Sequence, residues 1–109
     1  MLQGLAPANL SSNLDAILTR LKADDIPVLL LGMRASPGLG AGYVSQFDAV
    51  YPALAERFDV PLYGFFLEGV AMDRKLNQAD GIHPNAEGVR TIVERVLPEV
   101  ERLLSEAAR

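Results

Sequence analysis

The sequence predicts an α/β fold with parallel strands, built as one domain from 109 residues. Two observations carry this prediction. Three segments repeat apolar residues at helical spacing, and two short apolar runs without alternation lie between those segments. The resulting order is helix, strand, helix, strand, helix, which is typical of a parallel sheet with right-handed crossovers.

The first helix and the first strand are predicted from the segment at 7–32. In PANLSSNLDAILTRLKADD the apolar side chains form one stripe, consisting of Leu10, Leu14, Ile17, Leu18 and Leu21. The residues at 23–25 should end this helix. IPVLLLG at 26–32 contains four consecutive apolar residues between Pro27 and Gly32, which is the pattern of a strand buried on both faces. The glycine-rich sequence MRASPGLGAG that follows indicates a loop.

The second helix is predicted from YVSQFDAVYPALAERF at 43–58. Its aromatic residues Tyr43, Phe47 and Tyr51 lie at helical spacing, which is more typical of a core or an interface than of a ligand site. Pro52 falls inside the pattern, so we expect a kink or a break there. VPLYGFF at 60–66 should form the second strand.

The last helix is predicted to run from Pro84 to Glu106. Its apolar stripe consists of Val89, Ile92, Val93, Val96, Leu97, Val100, Leu103 and Leu104. Pro84 suits the first helical position, and Glu87 suits the positive end of the helix dipole. Pro98 should kink the helix. The segment at 67–83 should be irregular, with at most one helical turn at 68–72.

The composition argues against several classes of function. Fourteen acidic residues against ten basic ones give a formal net charge of −4, whereas nucleic-acid binding normally needs a basic patch. The absence of cysteine excludes disulfides, thiolate metal sites and a cysteine nucleophile. The longest apolar run, IPVLLLGM, is too short to span a bilayer. The N-terminus shows no signal-peptide pattern, so we expect a cytoplasmic location.

Two strands are too few for a complete parallel sheet, because a doubly wound sheet usually has about five. The strand at 26–32 should lie inside a sheet, yet one of its edges would remain open. An open edge exposes unpaired N–H and C=O groups to other chains. We therefore expect the chain to correspond to the C-terminal portion of a larger α/β domain. We also expect homo-oligomers that cover the open edge and the apolar helix faces.

The stretch QADGIHPNAEG at 78–88 contains the single histidine of the chain. A general base needs an imidazole whose tautomer is set, and whose charged form is stabilised, by a carboxylate. Asp80 and His83 offer both groups within one turn, in a loop that precedes a helix. However, Asp-Gly is also an ordinary turn signal. The spacing alone therefore fits both a catalytic pair and a surface histidine beside a helix start.

The motif DGIHP resembles the last sequence block of the SGNH/GDSL hydrolases, where Asp-x-x-His-Pro supplies two members of a Ser-His-Asp triad. The flanking segments NLDAILTRLKADDIPVLLLGMR, GYVSQFDAVYPALAERFDVPLYGFF and QADGIHPNAEGVRTIVERVLPEVERLL resemble the arylesterase/lysophospholipase-like branch of that family in the same order. The resemblance implies a flavodoxin-like three-layer α/β/α sandwich. It also implies that Asp80 orients His83 and that His83 acts as a general base toward a serine.

The family places its nucleophilic serine in a Gly-Asp-Ser block. Its oxyanion donors are the amide of that serine, a glycine, and an asparagine from a Gly-x-Asn-Asp block. Neither block occurs in the 109 residues. The segment 1–5 would correspond to the stretch just after the Gly-x-Asn-Asp block, so the resemblance concerns the C-terminal part of the family's fold.

The serines of this chain are Ser11, Ser12, Ser36, Ser45 and Ser105. Ser36, in RASPG, follows the end of the first predicted strand, at the sheet edge where His83 is also expected. The glycines of GLGAG would be sources of free backbone amides nearby. Ser36 is thus the best candidate nucleophile by position, and an ordinary turn residue before Pro37 is the alternative.

Three functions fit the sequence. The first is an esterase for short-chain carboxylic esters that uses Asp80, His83 and either a serine or a water activated by His83. The second is a catalytically inactive half-domain that persists as an oligomer, and the third is a small-molecule-binding α/β module. The sequence predicts no cofactor and no metal. The expected partners are an ester substrate and further copies of the chain, without nucleic acid or a membrane span.

Overall fold

Helices and strands follow one another in the predicted order of helix, strand, helix, strand, helix. The structure is a computed structural model that describes residues 6–108. The elements are α1 (Pro7–Ala23), β1 (Leu30–Leu31), α2 (Ala41–Phe58), β2 (Leu62–Tyr63) and α3 (Ala86–Ala107). The strands pair in parallel, with Leu30 opposite Leu62. The α/β class with parallel strands is therefore confirmed.

The described residues divide after Gly64 into two compact units. The first unit contains α1, both strands and α2, and the second contains a short 3₁₀ helix (Arg74–Leu76) and α3. The assignment of the whole chain to one domain stays a prediction. None of the helices formed by residues 6–108 is both long enough and apolar enough to cross a membrane.

The core of the first unit forms between α1, α2 and the strands. Its buried residues are Leu18, Leu30, Ala35, Phe47, Val50, Tyr51, Leu54 and Ala55. The rings of Phe47 and Tyr51 lie edge to face with centroids 6.0 Å apart. The prediction that the aromatic residues of α2 belong to a core is thus confirmed for these two rings. Helix packing, rather than the small sheet, buries them.

Both strands are much shorter than predicted. The ladder reaches only from the Leu30 N–H, which donates to the Pro61 carbonyl, to the Gly32 N–H, which donates to Tyr63. Pro61, directly before β2, has no N–H to donate to the ladder. Among the described residues, no third strand pairs with the outer edge of either β1 or β2. The prediction of burial on both faces is also wrong, because Leu30 is buried whereas Leu31 is 39% exposed.

The helix boundaries correct two further predictions. Pro84 lies outside α3, which begins at Ala86 after Asn85, since the Asn85 side chain accepts the Gly88 N–H and caps the helix. Glu87 does lie in the first turn, as predicted. A break at Pro52 does not occur, because α2 continues through it, and α3 likewise continues through Pro98. A kink at either proline stays a prediction.

Candidate active site

A closed loop at 78–83 carries the predicted Asp-His pair. At its base the Gln78 N–H donates to the His83 carbonyl over 2.8 Å, and Asn77 bridges to Pro84 in antiparallel fashion. Inside the loop the Gly81 N–H donates to the Gln78 carbonyl over 2.9 Å. Gly81 has a φ of +71°, a conformation that glycine adopts without strain. Backbone hydrogen bonds therefore set the path of the loop on both sides of its functional residues.

Two asparagines that the sequence reasoning missed tie this loop to its surroundings. The Asn77 amide donates to the Val70 and Asp73 carbonyls, each over 2.8 Å. The Asn85 amide donates to the Lys75 carbonyl over 2.9 Å, while its oxygen caps α3. The preference of helix N-caps for asparagine would have identified Asn85. No comparable local signal marks Asn77.

The Asp80 carboxylate takes part in three hydrogen bonds, two with His83 and one with Ile82. The His83 Nδ1 lies 2.6 Å from the Asp80 Oδ2. The other carboxylate oxygen, Oδ1, accepts the backbone N–H groups of Ile82 over 2.9 Å and of His83 over 3.0 Å. The carboxylate thus binds both the ring and the backbone of the histidine, which limits how far the imidazole can turn.

These hydrogen bonds determine the protonation of the pair. The bond from the His83 side chain, followed by those from the two backbone amides, lowers the pKa of Asp80 from 3.8 to about 2. An ionised carboxylate can only accept, so the shared proton resides on His83 Nδ1. In the neutral ring, Nε2 then carries the lone pair. The His83 side chain is 70% exposed, so Nε2 can accept a proton from a group that approaches from outside.

Ser36 belongs to the first unit, whereas Asp80 and His83 belong to the second. It is half-buried and directly precedes the 3₁₀ helix Pro37–Leu39. Its side chain forms no capping hydrogen bond with that helix. The residue before it is anchored, since the Ala35 N–H donates to the Asp48 carboxylate over 2.8 Å. Asp48 was missed because it lies in α2, far along the chain from the loop that it holds.

The expectation of free glycine amides beside Ser36 is wrong for Gly40. Its N–H donates to the Pro37 carbonyl over 3.3 Å, because the chain closes a 3₁₀ turn there before α2 begins. Among residues 6–108, no cluster of three or more histidine or acidic side chains is placed to hold a metal ion.

Characterised relatives, among them the following three, match the chain in sequence, although no protein-family model does. Esterase TesA of Pseudomonas aeruginosa is 40% identical over 97 residues, which is 89% of this chain and 48% of the relative. Thioesterase 1/protease 1/lysophospholipase L1 of Escherichia coli K12 is 41% identical over 86 residues, 79% of this chain and 41% of the relative. Arylesterase of Vibrio mimicus is 35% identical over 98 residues, with coverages of 90% and 49%.

Solved structures agree with these relatives. The crystal structure of TesA superposes with a TM-score of 0.85 at 39% identity, covering 94% of this chain and 57% of TesA. AlinE4, an SGNH-hydrolase family esterase, superposes with a TM-score of 0.70 at 48% identity, with coverages of 94% and 55%. Over the segment that it spans, the chain is homologous to esterases of the SGNH hydrolase family. It spans about half the length of the characterised relatives that it matches.

Proposed function

We propose that this chain acts in the hydrolysis of short-chain carboxylic esters, with His83 as the general base and Asp80 as the residue that orients it. The contact of 2.6 Å between His83 Nδ1 and Asp80 Oδ2 carries the proposal. It leaves Nε2 of an exposed ring unprotonated in the neutral state, as a general base requires.

The reaction begins when Nε2 of His83 removes the proton from a hydroxyl group, of a serine or of water, as its oxygen attacks the ester carbonyl. The resulting imidazolium is stabilised by the Asp80 carboxylate. His83 then gives the proton to the departing alkoxide, which leaves as the alcohol. With a serine nucleophile, an acyl-enzyme remains, and a water molecule activated by the same ring hydrolyses it to the carboxylic acid.

The names of the relatives support a hydrolase of esters or thioesters, since they describe an esterase, a thioesterase/lysophospholipase and an arylesterase. No Gly-Asp-Ser block occurs among these 109 residues, so the nucleophile is proposed from its position along the chain. Ser36 stays the proposed candidate. The preference for short acyl chains and a cytoplasmic location also stay predictions.

Hydrolysis of p-nitrophenyl butyrate by the purified protein tests the role of His83. His83→Ala should lower kcat/KM by a factor of about 1,000 or more, as loss of a triad base does. Ile82→Ala is the matched control in the same loop, because only its backbone amide contacts Asp80. It should change the rate by no more than about twofold. Equal activity of His83→Ala and the wild type would refute the assignment and indicate a contaminating esterase.

The nucleophile is tested separately with a fluorophosphonate, which reacts with an activated serine. If Ser36 is the nucleophile, peptide mass spectrometry should locate the adduct on it, and His83→Ala should abolish labelling. An adduct on another serine, or no adduct in a hydrolytically active sample, would remove Ser36 from the mechanism. A folded protein without activity would favour the two alternatives, an inactive half-domain or a binding module.

A further inference from the structure

A cavity of about 510 Å³ lies beside the candidate active-site loop, within the second unit. Gln78 and Ala79, two of its lining residues, belong to the loop that carries Asp80 and His83. Its volume falls within the range of roughly 300–1,000 Å³ that is usual for small-molecule sites. An occupant of this cavity would therefore contact the loop that carries the Asp-His pair.

The polar lining residues of the cavity are Asp73, Arg74, Asn77 and Gln78. No described residue forms an ion pair with Asp73 or Arg74. The cavity lining therefore carries one full negative charge and one full positive charge, and its net charge is zero. The amide nitrogens of Asn77 and Gln78 already donate to backbone carbonyls, whereas their oxygens accept no hydrogen bond from residues 6–108. The lining thus offers acceptor oxygens together with one guanidinium donor.

This combination matches hydroxyl groups better than an ion. Each hydroxyl group can donate one hydrogen bond to an amide or carboxylate oxygen and accept another from a guanidinium. An anionic ligand would meet the Asp73 carboxylate, and a cationic ligand would meet Arg74. A neutral ligand with several hydroxyl groups uses both types of partner without leaving a charge unpaired.

The edge of the cavity is apolar and conformationally strained. Met72 lines it with 90% of its surface exposed and a φ of +69°, a left-handed conformation that is rare for methionine. Such conformations cluster at ligand-binding sites, where the surrounding structure maintains them. Met72 and Ala79 together provide apolar contacts for the carbon skeleton of a polyol.

We propose that the cavity binds the alcohol part of the ester and that this alcohol is a neutral polyol of the glycerol type, with Arg74 as a specificity-determining residue. The proposal rests on the proposed function in one respect. His83 gives its proton to the departing alkoxide, so the leaving alcohol lies beside the loop at 78–83, which also lines the cavity through Gln78, Ala79 and Gly81. Esters of glycerol are then favoured over esters of simple alkanols.

A non-hydrolysable ether separates binding from catalysis. The probe is 1-O-butylglycerol, and 1-butoxypropane is its counterpart without the two hydroxyl groups. NMR titration of the ¹⁵N-labelled protein with 1-O-butylglycerol should show saturable shifts at the amides of residues 72–81. The affinity for 1-O-butylglycerol should be at least about tenfold higher than that for 1-butoxypropane, because a hydrogen bond to a charged group contributes about that factor. Arg74→Met should weaken the binding of 1-O-butylglycerol about tenfold, whereas Arg102→Met, on the exposed surface of α3, should leave it unchanged.

The outcomes distinguish the two proposals. Equal binding of the two ethers, an undiminished affinity of Arg74→Met, or no saturable shift at residues 72–81 would overturn the polyol site, whatever the esterase assay shows. Selective binding of 1-O-butylglycerol without ester hydrolysis would support the site and count against the proposed function. In an active protein, kcat/KM for glycerol monobutyrate should exceed that for propyl butyrate, and Arg74→Met should reduce this preference.

Discussion

Replacement of Gly88 by alanine should destabilise the helix that follows the candidate active-site loop. Gly88 is buried in the first turn of α3, where it faces the backbone of the 3₁₀ helix Arg74–Leu76. An added Cβ would lie 2.1 Å from the Leu76 carbonyl oxygen and 3.1 Å from the Pro84 Cβ. Real Cβ atoms essentially never approach within 3.0 Å of such a neighbour, so the two backbone segments must separate by about an ångström.

This separation acts on two hydrogen bonds. The Asn85 N–H donates to the Leu76 carbonyl over 2.9 Å, and the Asn85 side chain caps the Gly88 N–H over 2.9 Å. Overpacking costs about 1–3 kcal/mol, and each weakened hydrogen bond or cap adds up to about 1 kcal/mol. Alanine regains about 1 kcal/mol through its higher helix propensity. The free energy of unfolding should therefore fall by about 2 kcal/mol, and by no more than about 4 kcal/mol.

Gly42→Ala is the matched control, because Gly42 lies in the first turn of α2 and an added Cβ there meets nothing within 4 Å. It should leave stability unchanged or raise it by up to about 1 kcal/mol. Urea denaturation followed by circular dichroism measures both variants, and hydrogen exchange at the Asn85 amide should accelerate in Gly88→Ala alone. If Gly88→Ala unfolds at the same urea concentration as Gly42→Ala, the close approach is not a constraint and the reasoning fails.

Three further predictions follow from the structure. Because the folded-state pKa of Asp80 is lowered to about 2, its contribution to stability is complete above the ordinary value of 3.8 and is lost as the pH falls through about 2. Acid titration of Asp80→Asn should lack this loss, and identical profiles for variant and wild type would contradict it. Met72→Gly should raise the free energy of unfolding by about 1 kcal/mol, because glycine adopts the positive φ of this exposed position without strain. Urea denaturation that shows a less stable variant would mean that Met72 is not strained. Sedimentation equilibrium at micromolar concentration should show an oligomer, because Leu31 and Leu97 are 39% and 46% exposed, whereas a single folded species near 11.8 kDa would rule out the predicted assembly.

The order and type of the elements were predictable because each depends on local periodicity. The stripe containing Leu14 and Leu18 specifies α1, and apolar residues at three- and four-residue spacing specify α2 and α3. Strand lengths were not predictable in the same way. A ladder needs a partner, and the run at 26–32 contributes only Leu30 and Leu31 to the sheet because β2 is the only strand that pairs with it among residues 6–108.

The sequence by itself determined the chemistry available to the candidate site: one histidine, an aspartate three residues before it, and no cysteine. Their proximity along the chain made the contact between Asp80 and His83 predictable from one turn of backbone. Only the folded structure decided the anchoring of the loop by Asn77 and the close approach of Gly88 to the Leu76 carbonyl. The same holds for the cavity beside Arg74, because it is formed by the segment at 72–81, whose irregular backbone leaves no periodic pattern in the sequence.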